Sequence, residues 1–405
     1  MANTQLFDSL FLRDFLSYAP GTEIKLGQLN VLVGPNASGK SNLLSAIRVL
    51  RDLRTGLYAS LISGGGVAEF VRKVDGANEF VLGFSSRSIR DDWTVTYGIR
   101  VFNVQNTAVI AGETTAMKKL DWPQEQEKAI YESGYREHKV AVVSDPFSGK
   151  FNQPGDEDDL RAFAAEPANA SESVLSYRTD YSLYPTLARI SQQLSRIAIY
   201  SDAYSGASAP FRGYQPLGLP DSALAEDYSN LAHVLHDIDN RPGGLNTINE
   251  HLSEFYEGAI RVTVRVLGGA LLLNIEEEGL TQTIPAYRLS DGTLRYLCLL
   301  AILLHPSPPP LICIEEPEVG LHPDMISSLA SLLHDAATRT QVIVTTHSDL
   351  LVSAFSDTPE VVLVCDRTVE GTQVKRLDSD ELKTWLKDYS LGEVWLKGAI
   401  GGTRW

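Results

Sequence analysis

The sequence predicts an α/β protein: a mixed sheet with an antiparallel N-terminal β-subdomain, a parallel core sheet flanked by helices, and a helical insertion. Three observations predict it. The apolar run Leu29–Val33 leads directly into a glycine-containing loop and then a helix, the local order of a parallel unit. After Ser290 the pattern reads helix, strand, helix, strand, helix. From Glu69 to about Ile110, polar and apolar residues alternate, as in half-buried antiparallel strands.

Each element follows in order. Leu10–Phe15 and Glu23–Leu26 alternate as short strands, and Leu29–Val33 is a continuous buried one. The next helix puts Leu43, Leu44, Ile47 and Leu50 on one face. Arg48, Arg51 and Arg54 share another face, either a solvated charged surface or a patch facing DNA. Strands are expected at Phe80–Phe84, Trp93–Phe102 and Ala108–Ile110. Ser144–Ser173 is acidic and poor in apolar residues, as an exposed insertion would be. Helical patterning returns at Leu183–Ile197 and Ala223–Ile238, then a strand pair at Ile260–Ile275 around Gly268-Gly269. A hairpin turned at Glu370-Gly371 spans Val361–Arg376, and a helix is expected near Ser379–Tyr389. The implied division is an N-terminal lobe at 1–110, a mainly helical or irregular insertion at 111–258, and a C-terminal lobe at 259–405.

Composition narrows the class. Of 405 residues 43% are hydrophobic and 21% charged, the balance of a soluble globular chain. No apolar run is long enough to span a bilayer, and Met1–Asp8 lacks the order of a secretory signal. Cys298, Cys313 and Cys365 have no metal-ligand spacing, so reduced, buried thiols in a cytoplasmic protein are expected. The net charge of −16 excludes DNA binding by a general basic surplus. Contact with DNA would need a confined patch or a partner protein.

Gly34-Pro35-Asn36-Ala37-Ser38-Gly39-Lys40-Ser41 is a Walker A loop, with Asn42 in the helix that follows. Its glycines let backbone N–H groups turn towards phosphates, Lys40 reaches the terminal phosphates, and the Ser41 hydroxyl meets Mg²⁺. The helix start adds a positive end directed at the anion. Leu311-Ile312-Cys313-Ile314-Glu315-Glu316 reads as a Walker B strand. Glu315 is placed near the Mg²⁺ water shell, and Glu316 is placed to accept a proton from attacking water. A strand ending in two acids is weak evidence alone and becomes strong beside the Walker A loop.

Leu289-Ser290-Asp291-Gly292-Thr293-Leu294-Arg295 resembles the ABC ATPase signature, Leu-Ser-Gly-Gly-Gln in its common form. His347 in Val342-Ile343-Val344-Thr345-Thr346-His347-Ser348 resembles the switch histidine of the same superfamily, and Glu318-Val319-Gly320-Leu321-His322-Pro323 stands where it has its D-loop. About 250 residues separate Walker A from the signature, far more than in transporter ATPases. With Glu-Glu-Pro-Glu-x-Gly-Leu-His-Pro and Thr-Thr-His-Ser, the chain resembles the RecF/SMC/OLD branch. It is most similar to stand-alone bacterial AAA/ABC-like ATPases with a Gly-Gly-x-Arg-Trp tail, here Gly401-Gly402-Thr403-Arg404-Trp405. Asp291 and Thr293 depart from the common signature, Glu315 replaces the usual Walker B aspartate, and His322 replaces the transporter D-loop aspartate.

The resemblance implies an ABC-type ATPase head using ATP and Mg²⁺, with Glu316, His347 and Lys40 catalytic. It implies a head-to-tail homodimer or higher oligomer in which Ser290 and Gly292 of one copy touch the γ-phosphate held by the other. Only 58 residues follow His347, too few for the Toprim nuclease of OLD proteins, and prolines between Gly112 and Gly268 exclude the SMC coiled coil. The expected function is an ATP-driven switch for a separate effector, such as a nuclease, in DNA maintenance or antiphage defence. The alternative is a RecF-like repair ATPase clamping DNA itself. The tail from Trp395 to Trp405 suits partner docking or packing against the head.

Overall fold

The chain opens with a hairpin, β1 (Ser9–Arg13) and β2 (Thr22–Lys25), and then enters β3 (Leu29–Val33), buried at every residue. The structure, a computed structural model, describes residues 5–90, 93–119, 128–134, 139–141, 172–201, 206 and 209–402. The polar insertion expected at Ser144–Ser173 lies outside these residues except for its last two, and so do Thr403, Arg404 and Trp405.

Long strands follow: β4 (Glu79–Arg90), β5 (Trp93–Val104), β6 (Thr107–Lys119), β7 (Lys128–Gly134) and β8 (Lys139–Ala141). With the hairpin they form an antiparallel sheet ordered β2-β1-β4-β5-β6-β7-β8. The β5–β6 turn is two residues, Gln105 and Asn106, both at positive φ (52° and 62°), which matches the twist of the flanking strands. The region 111–258 then supplies β9 (Ala198–Tyr200) and β10 (Gln215–Pro216) among its helices. Next come β11 (Ala259–Leu267), β12 (Ala270–Glu277) and β13 (Ile284–Pro285), which with β10 make a small antiparallel sheet. Finally β14 (Leu311–Glu315), β15 (Gln341–Thr346), β16 (Val362–Thr368) and β17 (Gly371–Arg376) complete a six-stranded central sheet. Its order is β17-β16-β3-β15-β14-β9, parallel except at the β17 edge.

Both faces of this sheet are covered, and the two-residue period divides its side chains between two cores. Val31, Val33, Ile312, Ile314, Val342, Val344, Val362 and Val364 enter one, packed with the Asp291–Leu303 and Ile326–Ala337 helices. Leu32, Leu311, Cys313, Ile343, Leu363 and Cys365 enter the other, with the Lys40–Asp52 helix and the antiparallel sheet. That explains why these strands read as unbroken apolar runs. Cys298, Cys313 and Cys365 are free and buried, and burial pushes the Cys365 thiol up to about 12.

The insertion carries strands besides its helices, and one local expectation differs from the structure. The region 111–258 carries the end of β6 and all of β7 to β10 besides its helices, and β9 sits beside β14 in the central sheet. Three residues are too few to show a period, which hides such a strand in the sequence. Near Ser379–Tyr389 there is a single turn at Ser379–Leu382 and a 3-10 turn at Trp385–Lys387, with Leu382 the buried residue of the pair. A segment with so little apolar surface to bury has no packing to extend it into a longer helix. Among the described residues, no helix is long and apolar enough to cross a membrane.

Candidate functional site

The carboxyl ends of three central strands bring the motifs together. Val33 pairs with Thr346, and Glu315 with Thr345, so the loop after β3, the acids ending β14 and the histidine after β15 share one edge. In open parallel sheets ligands bind at this edge.

The loop after β3 is held in an unusual backbone path. Gly34, Ala37 and Gly39 have φ of 150°, 64° and 109°. Gly39 leads into the 13-residue Lys40–Asp52 helix with no side-chain cap and no acidic residue in the first turn. The helix therefore keeps its positive N-terminal end for an anion. Lys40 is buried, and its Nζ donates to Gly34 O (2.7 Å) and Pro35 O (3.1 Å). Burial draws its pKa down, against Cys365, Glu316 and Glu315, which draw it up. Asn36 and Ala37 are exposed, whereas the buried Ser38 Oγ has no hydrogen-bond partner among the described residues. Asn42 turns its amide to Ser17 Oγ at 2.7 Å, which places it in the support of the loop.

That support is not visible in the local sequence. Thr372 Oγ1 of β17 donates to Ser38 O at 2.9 Å and shares a hydrogen bond with the Ser17 hydroxyl at 2.7 Å, and Tyr18 Oη donates to Gly39 O at 2.9 Å. A Cβ at Gly39 would stand 2.4 Å from Thr372 Oγ1, and one at Gly34 2.3 Å from Cys365 O. Both glycines are thus required by close approach as well as by φ. Ser17, Tyr18 and Thr372 form a jacket around the phosphate loop, and only a contact map links Thr372 to Ser38 across 334 positions.

The acids meet the loop on its other side. Ser41 Oγ donates to Glu315 Oε1. Glu316 has φ 45°, a conformation that costs a non-glycine residue about 1 kcal/mol or more and gathers at functional sites. It is held there by Glu316 N donating to Thr345 O (3.0 Å) and Arg295 Nη2 donating to Glu316 O (2.9 Å). Its Oε1 lies 3.4 Å from His347 Nε2. Glu318, which carried no expectation beyond its motif, accepts from Thr346 Oγ1 and from His347 N at 3.3 Å. Burial raises the pKa of Glu318, and its second oxygen is buried without a partner among the described residues.

These donors suit a hard cation shared with phosphates. Among the described residues no group of three or more His, Cys, Asp or Glu converges on one point. Mg²⁺ bound with nucleotide phosphates needs only one or two protein oxygens, and adjacent Ser41 and Glu315 could supply two.

Ser290 and Gly292 lie elsewhere in the lobe. Ser290 caps the Asp291–Leu303 helix, its Oγ accepting from Thr293 N at 3.1 Å. A Cβ at Gly292 would stand 3.0 Å from Gly320 O and 3.9 Å from Phe255. Their neighbours are thus their own helix, Phe255 and the turn after Glu316. The arginine row is largely engaged: Arg51 pairs with Asp52 and Glu226, Arg48 reaches Ser201 Oγ (3.3 Å) and Arg54 reaches Ser195 Oγ (3.1 Å). The tail packs inward, with Trp395 buried and its Nε1 donating to Gly402 O at 3.1 Å.

A family model described as "AAA domain, putative AbiEii toxin, Type IV TA system" matches residues 29–353. Among solved structures, an SmcHead bound to the C-winged helix domain of ScpA is similar at TM-score 0.56 and 13% identity, covering 93% of this chain and 99% of that one. An Smc head domain with an extended coiled coil, bound to the C-terminal domain of ScpA and derived from Pyrococcus furiosus, gives 0.53 and 13%, covering 95% and 99%. At such identities the likeness shows the fold alone. The search of curated proteins gives no match.

Proposed function

The chain belongs to the AAA-domain family whose model matches residues 29–353 and is a P-loop ATPase with the fold of an SMC-type head, and from that premise we propose that it binds ATP with Mg²⁺, hydrolyses it, and works as a switch for a separate effector. The observation that carries hydrolysis is Glu316, held at positive φ beside His347 on the same strand edge as the phosphate loop.

Each residue has a role that follows from its position. Lys40 and the N–H groups of Gly34–Ser41 hold the phosphates, with Asn42 and Ser17 keeping the loop in shape. Ser41 and Glu315 would hold Mg²⁺. When bound, Mg²⁺ neutralises charge that develops on the transferred phosphoryl oxygens. Glu316 takes the proton of the attacking water, and His347 orients it and the terminal phosphate. Ser290 and Gly292 sit at the start of a second helix, where they can meet the γ-phosphate held by another copy. ATP would then join two heads and hydrolysis release them.

The family description, with its toxin of a Type IV system, supports a place in defence. Both solved heads were captured with a partner domain, which supports an effector that reads the dimer. The engagement of Arg51 and the net charge of −16 support a protein partner over a clamp on DNA.

The test compares Glu316→Gln with Lys40→Ala. Glu316→Gln should bind ATP, lose turnover and accumulate dimer in sedimentation; Lys40→Ala should lose nucleotide binding and stay monomeric. Wild-type turnover by Glu316→Gln would remove it from the base role. Steep, salt-sensitive stimulation by DNA would favour the clamp.

A further inference from the structure

We propose that Arg212 is a positioning residue for the Ser290 segment: its buried guanidinium fixes the backbone on both sides of Ser290, and so sets whether that segment can close a second copy's nucleotide site. The proposal rests on the reading above that Ser290 and Gly292 complete the site of another copy.

Arg212 ends the Pro210–Arg212 turn and is only 8% exposed. One arm, Nη1, donates to Leu289 O at 2.7 Å; the other, Nη2, pairs with Asp291 Oδ1. Leu289 and Asp291 are the residues immediately before and after Ser290. The same Asp291 oxygen accepts from Gly206 N at 3.2 Å, and the Arg212 hydrogen bond, followed by that of Gly206, holds the Asp291 carboxyl below its usual range. One planar fork therefore grips a three-residue span whose centre caps the Asp291–Leu303 helix.

The grip bears on the one position where this segment lacks a small residue. Asp291 stands where the common signature has glycine. With Arg212 beside it, the departure is half of a charge pair that glycine could not form. A buried guanidinium is a poor stabiliser compared with apolar packing, because desolvation offsets most of its attraction. Arg212 Nε is moreover buried without a hydrogen-bond partner among the described residues. What the pair supplies is geometry: Leu289 O and the Asp291 carboxylate are tied to one rigid plane. A contact made across two copies is sensitive to such placement, since about 1 Å of error can cost roughly a hundredfold.

The experiment uses the full chain carrying Glu316→Gln, so that dimer accumulates, and adds Arg212→Ala, Arg212→Lys, Asp291→Gly or Ser290→Arg. Affinity for a fluorescent ATP analogue is measured at protein concentrations too low for dimer, and ATP-dependent association by sedimentation. Arg212→Ala and Asp291→Gly should keep nucleotide affinity within about twofold and weaken association about 10- to 100-fold. Arg212→Lys should not rescue it, because one ammonium cannot reach both Leu289 O and Asp291 as a fork. Asp291→Gly thus makes the signature more common and the dimer worse; its exposed side chain keeps the test usable if Arg212→Ala fails to fold. Unchanged association in Asp291→Gly, while Ser290→Arg abolishes dimer, overturns the role of Arg212 and leaves the shared site standing. Normal dimer in Ser290→Arg overturns the shared site and this proposal with it.

Discussion

Glu316 Oε1 and His347 Nε2 lie 3.4 Å apart, and the backbone N–H of the same histidine is bound by Glu318 Oε1 at 3.3 Å. The histidine thus joins the end of β15 to the turn after β14 and places its ring beside the Glu316 carboxylate. Groups that act as a unit are not additive when removed. Glu316→Gln should lower turnover about 10²- to 10⁴-fold. His347→Ala should lower it by a smaller factor, and the double variant should be no slower than Glu316→Gln alone. Steady-state phosphate release checks this. A double variant slower by the product of the two factors would mean that the residues serve different steps.

The jacket around the phosphate loop predicts an effect of a residue far from any motif. Thr372→Val keeps the volume but removes the hydroxyl that bonds Ser38 O at 2.9 Å and Ser17 Oγ at 2.7 Å. Ser38 O would then be buried with one acceptor interaction fewer, at a cost of about 1–2 kcal/mol. Thermal unfolding should register that loss, and calorimetry should show ATP affinity weakened several-fold, because the loop it steadies is the one that meets phosphate. A fall in stability with unchanged affinity would show that the jacket does not shape the loop.

The parts of this site legible in the sequence are those written in contiguous residues. Gly34–Ser41 announces itself because a phosphate cradle needs glycines at fixed offsets, and β14 and β15 do so because burial on both faces demands unbroken aliphatic runs. The acids after β14 and His347 after β15 follow, since a parallel sheet brings strand ends to one edge. What could not be read depends on contacts between distant positions. Thr372 is one more polar residue on an edge strand until β17 folds over the loop. Arg212 looks like a loop arginine until burial sets it against Leu289 O and the Asp291 carboxylate. Arg48 and Arg51 lie on the Lys40–Asp52 helix and Arg54 just past its end, and their spacing is silent on Glu226, which meets Arg51 from another segment. Past Leu396 the glycine-rich tail carries little periodicity, so the contact of Gly402 with Trp395 leaves no trace in the pattern there.

That tail gives the last prediction. Gly402 has φ 68° and accepts at its carbonyl from Trp395 Nε1 at 3.1 Å. A Cβ there would stand 2.7 Å from Val364 Cγ1 and 3.5 Å from Gly34 Cα, so the residue fills the space behind the first glycine of the phosphate loop. Gly402→Ala meets both obstacles at once: a left-handed φ that alanine tolerates poorly, and a branched side chain of the central sheet that must move. The expected loss of stability is about 1–3 kcal/mol. Val364 lies on β16, which pairs directly with β3, so displacement there passes to the strand that ends at Gly34. ATP raises the melting temperature through its affinity for the folded state. Gly402→Ala should therefore lower the melting temperature and also shrink the rise that ATP produces, whereas Trp395→Phe, which deletes one hydrogen bond of about 1 kcal/mol, should do mainly the first. Thermal unfolding with and without ATP separates the two. An undiminished ATP-induced rise in Gly402→Ala would make the tail a strut that the nucleotide site does not feel.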